Sequence, residues 1–268
     1  MKLAIQHETV YRYTEPVQYS MQLLRLTPQS DSGQQVLGWQ LTLPAPASAG
    51  RDGYGNVEHL LGLAGRHQEI RLLAAGIVET GPRDAPRHTA RSPLPFLRST
   101  PLTQADGALR SFAARYRDHV GRHGGPALSD LMADLLDRMP YTPGATDSTT
   151  TAAQGFALGA GVCQDHAHAF VAACRTLGVP ARYVSGYLYT EHDHHIASHA
   201  WAEAWCRDGW HGYDVSNACR PDERYVRLAV GLDYLEAGPV RGLRRGGGAE
   251  TMDSHARVSL AAQHEQSQ

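Results

Sequence analysis

The sequence contains no apolar run of the roughly 20 residues that a membrane-spanning helix requires, and no run of lysine or arginine. Its formal net charge is only −2 over 268 residues. This balance gives no indication of a polyanionic partner, so we expect no binding to nucleic acid or to a membrane. The first eight residues turn polar too early for a signal peptide, and we therefore expect a cytoplasmic protein.

Cysteine is scarce, with four residues in the chain and no C-x-x-C pair. This argues against a disulfide-rich scaffold and against the usual paired-cysteine zinc sites. A cysteine in a reducing compartment is by default a small buried side chain. We expect Cys174, on the apolar face of a predicted helix, and Cys206, at the end of a strand face of small residues, to be core residues.

Histidine, in contrast, is abundant, with 15 residues. The run His192-Asp193-His194-His195 is of interest because imidazole binds zinc, copper and nickel. Neighbouring histidines in one loop rarely complete a metal site without further ligands, and no partner set is evident. We predict a solvated loop and neither a metal nor a cofactor, and we leave metal binding by this loop open.

The first third of the chain has the pattern of an all-β domain. Short segments rich in β-branched and aromatic residues alternate with turn signals such as Asp52-Gly53-Tyr54-Gly55-Asn56. The candidate strands are residues 3–13, 22–27, 36–43, 57–63 and 69–78. We predict a small sandwich-like β domain over residues 1–82, followed over 83–104 by a linker rich in proline, arginine, serine and threonine.

The remainder predicts helices followed by an antiparallel sheet. Apolar residues recur at helical spacing over 108–120 and 128–139, and a further helix begins at Cys163. Strands are expected over 181–190, 199–206 and 210–214, with Asp208-Gly209 as a hairpin turn. The fold class is therefore α+β, with a catalytic domain over 105–262 and a frayed tail over 263–268.

Cys163, His199 and Asp214 form the most informative set of residues. A thiol attacks as a thiolate, which is favoured by a helix N-terminus and by a nearby imidazolium. Gly161 and Cys163 lie at the start of a helix, and the Asp208-Gly209 turn places the strands that carry His199 and Asp214 side by side. This arrangement predicts a cysteine nucleophile, a general base and an orienting carboxylate, which together perform acyl transfer at an amide.

Such a reaction also needs hydrogen-bond donors for the developing oxyanion. The backbone N–H of Cys163 is the first candidate, and the side chains of Tyr141 and Gln154 are candidates for the second. Gln164 follows the nucleophile and is a further candidate for oxyanion or substrate contact. Trp201 shares the strand face of His199, where it would pack in the core or shield the ion pair from water. His166 and His168 are expected at the surface.

These residues resemble those of the bacterial transglutaminase-like superfamily. The matching motifs are Gly161-Val162-Cys163-Gln164-Asp165, Ala197-Ser198-His199-Ala200-Trp201 and Trp210-His211-Gly212-Tyr213-Asp214, with further similarity at 182–187 and 239–242. The segments 7–11, 24–28 and 52–56 resemble the β domain that precedes this core in one bacterial subgroup. The resemblance implies a papain-like core with a Cys-His-Asp triad. The family often has Asp-Pro-Thr-Asn where this chain has Asp214-Val215-Ser216-Asn217, so the turn after the aspartate is expected to differ.

Three functions are compatible with this resemblance. The first is a cysteine hydrolase of a peptide, protein or isopeptide amide that forms a thioester intermediate. The second is an acyltransferase, a transglutaminase, in which an amine replaces water as the acceptor. The third is an inactive binding module with the same fold, ranked last because all three triad residues are present. Self-association is left open.

Overall fold

The computed structural model describes residues 1–81, 92–191, 198–207 and 209–261. Two antiparallel sheets and a layer of helices make up this part of the chain, so the predicted α+β class is confirmed. Among the described residues, no helix combines the length and hydrophobicity needed to cross a membrane.

The larger sheet contains six strands in the order β10-β1-β4-β2, with β3 paired to β4 and β9 paired to β1. Its strands are β1 (Lys2–Thr27), β2 (Gln34–Thr42), β3 (Ala47–Arg51), β4 (Val57–Thr80), β9 (Val240–Gly246) and β10 (Glu250–Leu260). The segments predicted as separate short strands are parts of the long strands β1 and β4. Pro16 lies where the register shifts between Arg12 and Val17, because proline offers no N–H to the ladder.

The C-terminal strands differ from the predicted domain division. Residues 105–262 were assigned to the catalytic domain, but β9 pairs with the second half of β1 and β10 with the first half. They therefore belong to the N-terminal sheet. This pairing satisfies the hydrogen-bonding groups of the β1 backbone edge, which local sequence patterns could not reveal.

Within the predicted linker, residues 92–104 contain two 3₁₀ turns, Leu94–Leu97 and Pro101–Thr103, whose Phe96 and Leu102 are buried.

The smaller sheet has the order β7-β6-β5-β8, so β7 and β8 are its edge strands. Its strands are β5 (Ala181–Leu188), β6 (Ser198–Cys206), β7 (Gly209–Tyr213) and β8 (Tyr225–Gly231). Tyr187, Val226 and Leu228 of this sheet join the apolar cluster of the larger sheet. The two sheets therefore share a core.

Helices cover the other face of the smaller sheet. They are α1 (Gly107–Ala114), α2 (Arg117–His123), α3 (Gly125–Arg138), α4 (Ala152–Leu158), α5 (Cys163–Thr176) and α6 (Tyr234–Ala237). Helix α5 is central and is buried from Asp165 to Arg175. Phe170 in α5 stacks on Tyr213 of β7, with ring centroids 5.0 Å apart. This packing fixes the N-terminus of α5 against the ends of β6 and β7.

Candidate active site

Cys163 is the first residue of α5, as predicted, and is partly exposed. The chain approaches it through Gly161, which forms a parallel bridge with Tyr141 and accepts a 2.8 Å hydrogen bond from the Thr142 N–H. A Cβ at Gly161 would lie 2.7 Å from the Cβ of Asp165. A glycine is therefore required where the loop passes over the first turn of the helix.

Asp165 holds this loop in place. Its buried Oδ2 accepts hydrogen bonds from the Val162 N–H at 2.8 Å and from the Thr146 hydroxyl at 2.6 Å. A carboxylate in the first turn also complements the helix dipole. Asp165 thus joins the loop before the nucleophile to the helix that carries it.

His199 and Asp214 meet at the adjacent ends of β6 and β7. Ala202 opposite Tyr213 is the last pair of the two strands, and Asp214 follows just beyond it, within reach of the His199 side chain near the start of β6. The Nε2–H of His199 donates to Oδ2 of Asp214 at 2.7 Å. Cys163 also contributes to the raised pKa of His199, so the thiol is a neighbour of the imidazole, and Nδ1 is the ring nitrogen that Asp214 leaves available to it. The structure therefore brings the three predicted residues together.

Electrostatics favours the charged forms of the histidine and the aspartate. Burial alone would lower the pKa of His199, but hydrogen bonds and charge from Asp214 and Cys163 outweigh it and raise that pKa. Burial alone would raise the pKa of Asp214, but hydrogen bonds from His199, Asn217 and Tyr225 hold it below its ordinary value. An imidazolium at His199 is thus stabilised next to the thiol.

Asp214 Oδ2 receives two further donors in addition to His199. The side-chain amide of Asn217 and the hydroxyl of Tyr225 each donate to it at 2.7 Å. Reciprocal backbone hydrogen bonds between Asp214 and Cys219 close the turn that supplies Asn217. Val215 stands where the family often has a proline after the aspartate. Asn217 nevertheless remains in contact with the Asp214 carboxylate.

Aromatic rings shield the pair of His199 and Asp214 from solvent. Trp201, which is 1% exposed, stacks on His199 with an interplanar angle of 24° and a centroid distance of 6.3 Å. The ring of Tyr225 lies 6.0 Å from the imidazole and packs edge-on against Trp201. Exclusion of water strengthens the hydrogen-bonded ion pair.

Two of the remaining candidates lie near the nucleophile. Tyr141 is about half exposed, and its pKa is raised by burial and by the nearby Cys163 and Asp214. The side-chain amide of Gln164 donates to the Ser148 carbonyl at 3.2 Å, which ties the start of α5 to the preceding loop.

Gln154 lies in the first turn of α4, where its side chain caps the helix. Its Oε1 accepts from the Thr151 N–H at 2.9 Å, and its own N–H donates to the Thr151 hydroxyl at 3.2 Å. The two residues form the capping box of α4, a helix that the sequence analysis did not predict. The spacing Thr151-x-x-Gln154 was the signal that could have identified this role.

His166 and His168 are buried, contrary to the expectation of a surface position. His166 donates from Nε2 to the Met139 carbonyl at 2.7 Å and accepts at Nδ1 from the Ser216 hydroxyl at 2.8 Å. Burial lowers the pKa of His168 to about 3, and its Nε2 accepts the Tyr234 N–H at 3.1 Å. Both histidines are structural because α5 is covered on both sides.

In the described ranges, no group of three or more His, Cys, Asp or Glu side chains is arranged to hold a metal ion. The loop His192 to His195 lies outside the described residues. Cys174 is completely buried and Cys206 partly buried. Cys174 is thus the core residue that its helical position predicted.

Two family models match this chain, and related proteins align with most of its length. Residues 3–79 match the bacterial transglutaminase-like N-terminal region, and residues 113–215 match the transglutaminase-like superfamily. An uncharacterized protein of Mycobacterium leprae is 30% identical over 283 residues, which cover 97% of this chain and 99% of the relative. An uncharacterized protein of Mycobacterium tuberculosis is 31% identical over 273 residues, which cover 89% and 86%.

A solved structure shares the fold across nearly the whole chain. The crystal structure of a candidate cysteine protease from Cytophaga hutchinsonii superposes with a TM-score of 0.77 at 20% identity. The match covers 97% of this chain and 90% of that chain. At this level of identity the likeness establishes the architecture, with both sheets and the helical layer.

Proposed function

Because the chain belongs to the bacterial transglutaminase-like superfamily, we propose that it is a cysteine hydrolase that cleaves an amide bond through a thioester intermediate. One observation carries the proposal. The Cys163 thiol, at the N-terminus of α5, is close enough to His199 to raise the pKa of the imidazole, and Nε2–H of His199 is held by the buried Asp214. This is the arrangement of an activated nucleophile, a proton carrier and an orienting carboxylate.

Acylation begins when the Cys163 thiolate attacks the carbonyl carbon of the bound amide. A carbon–sulfur bond forms, and the carbonyl electron pair moves to oxygen. The His199 imidazolium then donates its proton to the amide nitrogen, the carbon–nitrogen bond breaks and the amine leaves. The products of this half-reaction are a thioester at Cys163 and a neutral His199, whose tautomer Asp214 maintains.

Deacylation repeats these steps with water. Neutral His199 takes a proton from the attacking water, and the oxygen bonds to the thioester carbon. The carbon–sulfur bond then breaks, which releases a carboxylic acid and restores the thiolate–imidazolium pair. The buried Asp214 stabilises the imidazolium each time that it forms.

The N-terminus of α5 supports the assignment of the oxyanion site. The first intrahelical hydrogen bond runs from His166 N–H to Val162 C=O, so the N–H of Cys163 precedes the helical ladder and points out of the helix start. We assign this group as one donor to the oxyanion. The hydroxyl of the half-exposed Tyr141 is the proposed second donor, since Cys163 is near enough to raise the pKa of this tyrosine.

The substrate proposed is a peptide, protein or isopeptide amide. Cys163 is partly exposed and Tyr141 stands at the surface, so a chain lying across the start of α5 would reach the sulfur. An acyltransferase would use the same three residues and differ only in the acceptor. Hydrolysis is preferred because the exposed rim leaves the thioester open to water, the acceptor present at highest concentration.

The test is a screen of peptide and isopeptide substrates in H₂¹⁸O, with and without added primary amines, read by mass spectrometry. We expect ¹⁸O in the released carboxylic acid, complete loss of product with Cys163→Ala, and full activity with the matched control Cys206→Ala. Amine adducts in place of ¹⁸O would support the acyltransferase. Turnover retained by Cys163→Ala would overturn the assignment of the nucleophile.

A further inference from the structure

The edge strand β8 is bound by side-chain amides of the N-terminal sheet. Gln34 donates from Nε2 to the Arg227 carbonyl and accepts from the Arg227 N–H, both at 2.8 Å. Asn56 makes the same reciprocal pair with Val230, at 2.7 and 2.9 Å. These two amides reproduce the hydrogen bonds that a neighbouring strand would make along this edge.

Further contacts hold the same segment on either side of β8. Thr80 donates to the Glu223 carbonyl, and Tyr54 donates to a carboxylate oxygen of Glu236 at 2.6 Å. The N–H of Arg25 donates to the Pro239 carbonyl at 2.8 Å. The N-terminal sheet therefore holds residues 223–239 at several points along their length.

Tyr225, the first residue of β8, extends from this segment to the candidate triad. It is completely buried and donates to Asp214 Oδ2 at 2.7 Å. Since an ionised carboxylate can only accept, the direction of this bond is fixed. The Cys219 sulfur lies 3.3 Å from the same hydroxyl, so its S–H donates to the tyrosine oxygen. Tyr225 thus connects the edge strand to the carboxylate that orients His199.

We propose that Tyr225 is a positioning residue for His199 and Asp214, and that the N-terminal sheet acts on the triad by holding β8. The proposal rests on the function proposed above and assigns a task to the N-terminal region. The hydroxyl and the Asn217 amide approach Asp214 Oδ2 in addition to His199, so the carboxylate is in place before the imidazolium forms. Preorganised donors of this kind need no reorientation during the reaction.

Loss of the hydroxyl has a defined electrostatic consequence. Within the described ranges, the titratable groups that face Asp214 are His199 on β6, Tyr225 on β8, Cys219 after β7, His166 on α5 and Tyr141 in the loop before α4. Removing one donor from a buried carboxylate raises its pKa. Asp214 would then become protonated at a higher pH, and the imidazolium would lose its partner there.

The first experiment compares Tyr225→Phe with wild type and with the control Tyr187→Phe, which removes a buried hydroxyl bonded to His7 instead. The readout is the rate of alkylation of Cys163 by iodoacetamide across pH, measured by peptide mass spectrometry without substrate. We expect Tyr225→Phe to slow labelling at neutral pH about tenfold and to move the acidic limb upward by about one pH unit. Tyr187→Phe should label at the wild-type rate.

The second experiment tests the action of the N-terminal sheet. Gln34→Met removes the reciprocal pair with Arg227, whereas the control Gln40→Met changes an exposed amide of the same strand. We expect Gln34→Met to slow labelling of Cys163 about threefold, and to have no further effect when Tyr225 is already phenylalanine. Additive effects in the double variant would overturn the route through Tyr225.

A substrate-independent measurement separates this proposal from the proposed function. The proton NMR signal of His199 Nε2–H is followed as the pH falls in wild type and in Tyr225→Phe. Loss of the signal at a higher pH in the variant supports the positioning role of Tyr225. This holds even if wild-type Cys163 reacts no faster than a peptide thiol, because slow labelling of the wild type would contradict only the proposed hydrolase. Identical titrations and identical labelling rates would assign Tyr225 a packing role alone.

Discussion

The two sheets of this protein contribute differently to the candidate active site. The four-stranded sheet supplies His199 on β6 and positions Asp214 at the end of β7. The six-stranded sheet contributes no member of the candidate triad but binds the edge of the smaller sheet through Gln34 and Asn56. The larger sheet thus contacts the strand that carries Tyr225, whose hydroxyl donates to Asp214, although it lies away from the candidate triad.

The burial patterns of the sheets explain this division. Strand β5 is buried along almost its whole length because α5 covers one face and the N-terminal sheet borders the other. Strand β1 alternates between buried and exposed residues over much of its length, which is typical of a sheet with one wet face. Polar groups inside the smaller sheet must therefore be paired, as Arg182 and Glu203 are at 2.8 Å.

The largest effect is expected from the candidate triad itself. Asp214→Asn should lower kcat by about 10⁴-fold, as the equivalent change does in a serine triad, because the amide cannot hold the same histidine tautomer. The measurement is steady-state kinetics on the amide identified by the screen. Asp222→Asn, a change at an aspartate paired with Arg224 at the surface, should leave kcat unchanged. Equal losses in both variants would contradict the assignment.

A large loss of stability is expected from the buried ion pair of the smaller sheet. Glu203→Leu leaves the buried Arg182 without its carboxylate, which should cost about 3–5 kcal/mol in the free energy of unfolding. Urea denaturation followed by circular dichroism measures this difference. The exposed control Asp253→Asn in the larger sheet should change stability by less than about 0.5 kcal/mol. Similar losses of stability in Glu203→Leu and Asp253→Asn would contradict the expected difference between the buried ion pair of the smaller sheet and the exposed ion pair of the larger sheet.

A smaller loss is expected at the contact between the sheets. Asn56→Ala leaves the buried N–H and C=O of Val230 without partners and should reduce the free energy of unfolding by about 1–3 kcal/mol. Denaturation by urea again provides the measurement. A stability equal to that of wild type would mean that the edge of β8 is held without this amide.

A pH-dependent contribution to stability is expected from His199 and Asp214. The raised pKa of His199 contributes stability that is complete below its ordinary value of 6.5 and is lost as the pH rises through its folded value. The lowered pKa of Asp214 contributes stability that is complete above its ordinary value of 3.8 and is lost as the pH falls through its folded value. The destabilisation caused by His199→Ala should therefore be largest between pH 3.8 and 6.5 and decline at alkaline pH. A destabilisation independent of pH would contradict the charged pair.

The sequence predicted those parts of the site that depend on local signals. A glycine before a helix start indicated the position of Cys163, and the hairpin turn indicated that the strands of His199 and Asp214 are neighbours. The capping-box spacing Thr151-x-x-Gln154 was also a local signal, and it indicates the start of α4. Tyr225 could not be predicted, because its contact with Asp214 depends on a strand whose position is set by residues far away in the chain.

The same distinction applies to the fold. Alternating residues predicted strands in the first third, yet their continuity through Pro16 depends on pairing with β4. The burial of His166 and His168 depends on elements packed on both sides of α5, which the helical period alone does not show.

The pairing of β1 with β9 and β10 has a consequence for synthesis. Strand β1 emerges from the ribosome long before Val240–Gly246 and Glu250–Leu260, which complete its hydrogen-bonded edge. Domains usually fold from the N-terminus as they are made, and contacts between distant segments slow folding. The edge of β1 is thus open to other extended chains throughout translation. We expect nascent chains truncated before Val240 to aggregate or to bind chaperones, even though every residue of the candidate triad has already been made.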